Sequence, residues 1–258
     1  MKKEFKARKL NYNLKPFKNR DSYYFYFLGA AVTDGCVNLH NKHRNNPVLR
    51  FSLMAKDHDW IKILYDTFGG SITRNNSTLG IYHPDIINTI VSDGCVERKS
   101  KTLQLSKNIP KEFFGDFMRG CIDGDGCIIF CTSKRKRGNR IYLERAPSVY
   151  LSSSSKEFLI EIQTRLSINF GIKMKLVTSS LAGYNHTISS GRTITSTTNG
   201  YRLICSNRIA YNLLKLLQYD FAKIAMPRKK EIANTIISHY ESASFKKRRN
   251  TYDHSLQI

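Results

Sequence analysis

Residues 27–37 read FLGAAVTDGCV and residues 118–128 read MRGCIDGDGCI, two stretches that hold Gly, Asp, Gly and Cys at the same relative positions. Their Asp-Gly pairs, Asp34-Gly35 and Asp125-Gly126, stand 91 residues apart. A chain that matches itself at so long a spacing is built from two copies of one unit. Weaker landmarks follow in the same order, Phe68-Gly69 in the first copy and Phe170-Gly171 in the second. The second copy is longer between its landmarks, and its basic stretch TSKRKRGNRIYLERA (132–146) accounts for the excess as an elongated hairpin.

Around these anchors the apolar periodicity alternates between helical and strand-like. Trp60, Ile61, Leu64 and Phe68 after Asp57, and Phe158, Leu159, Ile162 and Leu166 after Ser154, recur at helical spacing behind N-cap residues. Val48 to Leu53, Ile128 to Cys131 and Tyr201 to Cys205 read as strands. Each copy is therefore expected to run helix, hairpin, helix, hairpin, helix, an α+β fold. The expected division is a basic N-terminal extension (1–20), a first half (21–112), a second half (113–245) and a basic tail (246–258).

The 258 residues include 42 Lys and Arg against 20 Asp and Glu, a formal charge of +22, and 41 % are hydrophobic. That apolar content, with 14 Phe and 14 Tyr, is enough for a buried core and excludes wholesale disorder. An excess of this size marks a polyanionic partner, because neutralising phosphates releases condensed counterions. No apolar run approaches the roughly 20 residues of a membrane span, so no membrane partner is expected. The first 20 residues carry eight Lys or Arg without the apolar stretch of a secretory signal. Six cysteines without CxxC spacing read as free thiols in a reducing compartment, the bacterial cytoplasm or an organelle matrix.

Each repeated segment reads as a helix ending in Asp-Gly, with the Gly expected in the left-handed region that closes a helix. The Asp is the anomaly, since a carboxylate at a helix C-terminus meets the negative end of the dipole at a cost of about 0.3–1 kcal/mol. A single Asp-Gly is an ordinary turn. The same disfavoured acid at both Asp34 and Asp125 is the local conflict that marks a functional site. Small residues one turn apart, Gly29 with Thr33 and Gly120 with Gly124, let the two helices pack closely. A pseudo-twofold axis then sets Asp34 beside Asp125, a repulsion of about 4 kcal/mol at 4 Å and an effective dielectric of 20 that a bound cation relieves. Hard oxygen ligands without a Cys or His cluster favour magnesium, and metal-assisted phosphodiester hydrolysis is the matching chemistry. Asp123 has Val32 as its counterpart and reads as a structural or surface acid.

FLGAAVTDG and MRGCIDGDG resemble the two motifs of the LAGLIDADG homing endonucleases, and repeat order, half size and the closing MPRKKEIANTI are similar to the double-motif, single-chain branch. The resemblance spans about 21–243 and departs from the family motif at Ala30, Ala31 and Val32, upstream of the first acid. It implies two αββαββα halves forming a saddle of two antiparallel sheets on DNA, with the motif helices at the central interface. It also implies a monomer that makes a double-strand break with short 3′ overhangs. Asp34 and Asp125 would be the metal-coordinating catalytic acids, with Mg2+ as the ion and Mn2+ or Ca2+ able to substitute for binding. Lys56, Lys101 and Lys229 match peripheral basic residues of such sites, each with an ordinary solvated lysine as the alternative. Ser154 stands opposite Lys56 in the second half, so the two sites need not be equivalent.

Residues 162–219 contain no Asp or Glu, which fits a face turned toward phosphates better than a mixed-charge solvated surface. Candidate DNA contacts there are Lys173, Lys175, Tyr184, Asn185, Arg192 and Arg202. The Ser- and Thr-rich stretch 178–200 reads as a long hairpin tip that orders on DNA, or alternatively as a linker. Lys42, Arg44, Asn45, Asn46 and Arg50 in the first hairpin, Arg74, Asn75 and Asn76 in the second, and Arg135, Arg137 and Arg140 complete the set, with side chains suited to guanine and adenine edges. HNKHRNN (40–46) lacks the spacing of an HNH nuclease. The expected activity is site-specific cleavage of duplex DNA at a long asymmetric target. The alternatives are an intron RNA maturase and a non-cleaving DNA-binding regulator of the same fold.

Overall fold

The computed structural model describes residues 10–39, 47–138, 140–187, 191 and 193–253. A short helix α1 (Lys15–Asn19) precedes the first run of elements: α2 (Ser22–Thr33), β1 (Gly35–Asn38), β2 (Val48–Ser52), α3 (His58–Phe68), β3 (Ser71–Ile72), β4 (Thr78–Ile81) and α4 (Pro84–Ser92). The second run opens with α5 (Phe114–Asp125), β5 (Gly126–Arg137), β6 (Arg140–Ser153) and α6 (Lys156–Phe170). It continues through β7 (Lys175–Ser180), the small hairpin β8 (Asn185–Thr187) and β9 (Thr193–Thr195), β10 (Gly200–Ser206) and α7 (Asn207–Leu216). A long helix α8 (Pro227–Asp253) follows.

The two runs share one topology. The first sheet has the order β1-β2-β4-β3 and the second β5-β6-β10-β7, each four-stranded and antiparallel through every pairing. With β8 and β9 set aside as an insertion in the last hairpin, both runs read αββαββα. Each sheet buries one face on its helices, through Val37, Leu49, Phe51, Leu79 and Ile81 in the first and Ile128, Val149, Leu151 and Leu203 in the second. The alternation of the strands leaves the opposite faces open. Cys36 and Arg50 share a row on the first open face, and Cys127, Tyr150, Ile204 and Lys175 share one on the second.

Helix α2 is buried all round from Tyr24 to Val32, which is the signature of a central helix rather than an amphipathic surface one. Its N-terminus is capped by Asp21, whose carboxylate accepts from the N–H groups of Tyr23 at 3.0 Å and Tyr24 at 3.2 Å. It packs on α5 with backbones nearly touching. A Cβ on Gly29 would lie 2.0 Å from the Phe117 carbonyl oxygen, and one on Gly120 would lie 2.1 Å from that of Tyr26. A Cβ on Gly124 would meet Thr33 Oγ1 at 2.1 Å.

The glycines after the two acids are not left-handed, contrary to the sequence expectation. Gly126 has φ −91° and ψ 170°, and Gly35 is absent from the positive-φ positions. Their side-chain-free Cα is needed for space: a Cβ would sit 2.5 Å from the Ala31 carbonyl oxygen at Gly35 and 2.6 Å from the Ile122 carbonyl oxygen at Gly126. In this way the chain turns straight from each helix into a strand. The caps of the outer helices also differ from expectation. Ser155 rather than Ser154 caps α6, accepting from Phe158 N–H at 3.3 Å, and Asp57 makes no side-chain cap on α3.

Candidate functional site

The repeated turns bring Asp34 and Asp125 together at the ends of the paired helices. Asp34 continues α2 in helical conformation, its N–H donating to the Ala30 carbonyl at 3.0 Å, and Asp125 is the last residue of α5. Burial pushes the Asp34 carboxyl up to about 6, the negative charge of Asp125 adds to the rise, and Lys229 and Lys99 pull against it. Asp125 meets solvent at the mouth of a crevice, yet enough protein surrounds it that burial raises its carboxyl as well, again opposed by Lys99 and Lys229.

Two buried lysines close the same ends of these helices. Lys229, from the first turn of α8, donates to the carbonyls of Ile122 and Asp123 at 2.7 Å and of Gly124 at 3.1 Å. These carbonyls close the end of α5, that of Ile122 also accepting from Gly126 N–H, and a cation there offsets the helix dipole. Burial lowers the Lys229 pKa, while Asp123 and Asp34 raise it. In the first run Lys99 plays the matching part, donating to the Gly35 carbonyl from a buried position. Lys101, two residues on, is exposed, as is Lys56, which stands next to the buried Asp57. The lysine this segment delivers to the carboxylates is thus Lys99. The signal for it is in the sequence, because an Arg-Lys pair recurs at 98–99, after α4, and at 228–229, after α7 in the first turn of α8.

Asp57 and Asp123 are the acids behind the site. Asp57 receives a two-point contact from Arg228, at 2.5 and 3.1 Å, which ties the start of α3 to the start of α8. Asp123 is fully buried, not a surface acid, and accepts from Tyr26 Oη and Tyr219 Oη at 2.7 Å and from Met226 N–H at 2.8 Å. Trp60 donates to Tyr26 Oη at 2.7 Å. Burial raises the Asp123 carboxyl, and these donors and Lys229 hold it down. Asp123 accepts every one of these hydrogen bonds, an arrangement that favours the ionised form.

The sheet residues divide. Arg50, Arg74, Lys173, Lys175 and Arg202 are exposed, Arg202 lying 4.6 Å over the Tyr150 ring. Asn75 and Asn76 have local work in the β3–β4 turn: Asn75 Oδ1 accepts from Ser77 Oγ at 2.8 Å, and Asn76 takes a left-handed φ of 55°. Asn185 accepts from Thr195 Oγ1 at 2.7 Å across the small hairpin, near the exposed Tyr184. Arg137 stands opposite Arg140 at the end of the β5–β6 ladder, with Arg135 two residues earlier. Lys42, Arg44, Asn45, Asn46 and Arg192 lie outside the described residues.

Residues 112–218 match the family model of a LAGLIDADG-like domain. Among solved structures, the LAGLIDADG homing endonuclease I-GzeII in complex with a DNA target is similar at 12 % identity, over 85 % of this chain and 91 % of that one, with a TM-score of 0.49. A point mutant of I-SmaMI is similar at 11 % identity over 81 % and 87 %, with a TM-score of 0.44. I-SmaMI bound to uncleaved DNA target with calcium ions follows at 12 % identity over 75 % and 84 %, with a TM-score of 0.40. No curated protein matches the sequence. Among the described residues no helix is long and apolar enough to cross a membrane.

Proposed function

We propose that the protein is a monomeric, site-specific DNA endonuclease. It hydrolyses one phosphodiester bond in each strand of a long asymmetric target and leaves short 3′ overhangs. The observation that carries this reading is the pair of carboxylates at the repeated helix ends, close enough that one raises the pKa of the other, in a chain of net charge +22.

The pair fits a divalent cation of the magnesium type. Both ligands are hard oxygens; burial raises both carboxyls, and the charge of Asp125 adds to the rise at Asp34, a strain that a cation between them would relieve. No group of three or more His, Cys, Asp or Glu side chains occurs among the described residues, so water, main-chain carbonyls and DNA oxygens would fill the remaining positions. Bound there, such an ion supplies Lewis acidity toward the phosphate and a lowered pKa for an attacking water.

The chain's own residues prepare the site. Asp34 and Asp125 must be ionised to bind a cation, and Lys99 and Lys229 favour that form by their charge. Both lysines are positioning residues, since their ammonium groups are engaged by the carbonyls at the helix ends. The open sheet faces bring Arg50, Lys175 and Arg202 to the DNA backbone and bases. Incubation of a randomised duplex library with the protein and Mg2+ tests this function: defined double-strand cuts support it, and intact DNA across a range of salt concentrations overturns it.

A further inference from the structure

Two crevices, one of them lined in part by Asp125, occupy corresponding places in the two halves and are chemically unlike. Ser155 and Phe158 in one half correspond in place to Asp57 and Trp60 in the other, each pair standing at the start of the helix after the first hairpin. The crevice beside Ser154 and Phe158 has a volume of about 360 Å³ and is walled by Lys99, Arg202 and the hydroxyl groups of Ser152, Ser153, Ser179 and Ser180, with Asp125 at its edge. The one beside Asp57 and Trp60 is smaller, about 220 Å³, and is lined by Lys56 and Arg228 against Asp57, Asp59 and Glu231. Its Arg228 is held by Asp57, which leaves Lys56 outnumbered by Asp59 and Glu231, so its formal charge is net negative and disfavours an anion.

The first crevice is a ready acceptor of one. Ser152 Oγ accepts from Arg202 Nε at 3.4 Å and Ser153 Oγ accepts from Ser155 N–H at 3.1 Å, so neither hydroxyl proton is spent in these contacts. Arg202 is steadied by the Tyr150 ring beneath it, which leaves its terminal N–H groups for an oxyanion. Hydroxyl and guanidinium donors held in place before binding lose little freedom on engaging a ligand.

We propose that this serine-lined crevice seats a backbone phosphate of one DNA strand, that the opposite crevice has no equivalent seat, and that the two strands are consequently cut at unequal rates. The ordering of the cuts rests on the endonuclease reading above; the seat itself does not.

Both parts are tested on a duplex chosen from a randomised pool by binding, without divalent cation. Single phosphates are then replaced by neutral methylphosphonates, one position at a time. The unmodified protein loses about tenfold in affinity at a seat position, and Ser152→Ala/Ser153→Ala and, separately, Arg202→Gln abolish the sensitivity at that position alone. Two variants on different elements guard against misfolding of either. Equal sensitivity of variant and unmodified protein at every position overturns the seat. With Mg2+ and a label on each strand in turn, the double serine variant slows one strand about tenfold and the other less than about twofold. Equal slowing of both strands overturns the ordering. A seat that maps to one position in a protein that cuts neither strand upholds the seat and overturns the endonuclease reading.

Discussion

Asp34 carries the most direct consequence of the geometry. Its carboxyl sits at about 6 in the folded chain against 3.8 as a free side chain, so the folded state binds the proton more tightly than the unfolded one. The stabilising proton is fully present below pH 3.8 and is lost as pH rises through about 6. In the absence of divalent cation, Asp34→Asn should therefore raise the melting temperature at pH 7.5 by roughly 2–4 °C, with a much smaller effect near pH 4.5. Thermal unfolding of both proteins at the two pH values checks this, and equal gains at both would contradict it. Asp34 and Asp125 were legible in the sequence because the same disfavoured acid recurs at two helix ends. Lys99 was not, because the spacing from motif to lysine differs between halves and only the recurring Arg-Lys pair marks it. The support Asp57 gets from Arg228 was hidden for another reason: its partner lies 171 residues away.

At the scale of elements, the α2–α5 contact and the Asp123 network decide how rigidly the two carboxylates are held. Gly120→Ala would drive a Cβ to 2.1 Å from a main-chain oxygen that cannot move without shifting α2. The expected cost is about 3 kcal/mol or more, read as a lower denaturation midpoint. Asp123→Asn replaces an all-acceptor group by an amide that must leave at least one buried donor unmatched, for an expected loss of about 2–4 kcal/mol in the same measurement. The close helix pair was foreseeable from Gly29, Gly120 and Gly124, since small residues one turn apart have few other uses in a helix. The conformation of Gly35 and Gly126 was not, because an absent Cβ serves a left-handed turn and a tight approach equally well, and only coordinates tell them apart. The β8–β9 hairpin falls in the Ser- and Thr-rich stretch that reads as a hairpin tip, with a linker as the alternative because strands and linkers share that composition.

Across the whole molecule, the halves are joined by the helix pair and by the Asp57–Arg228 contact at the site's edge. Arg228→Ala leaves a buried acid without its partner and should destabilise the fold by about 1–3 kcal/mol, whereas the Asp57→Asn/Arg228→Met pair should cost less than the sum of its single changes. Denaturant titration of the four proteins of this cycle measures the coupling, and strict additivity would contradict a working bridge. The charge of +22 and the acid-free run over 162–219 point to a polyanionic partner, but composition does not say which basic residue faces outward. That follows from strand register, which sets Arg202 on the open face and turns its neighbour Leu203 into the core. The most direct measurement remains strand cleavage of a randomised duplex library with Mg2+ at low salt, run side by side with Asp34→Asn and Asp125→Asn. The account predicts defined double-strand cuts by the unmodified protein, lost in both variants while DNA binding persists. Cleavage that survives either substitution would contradict it.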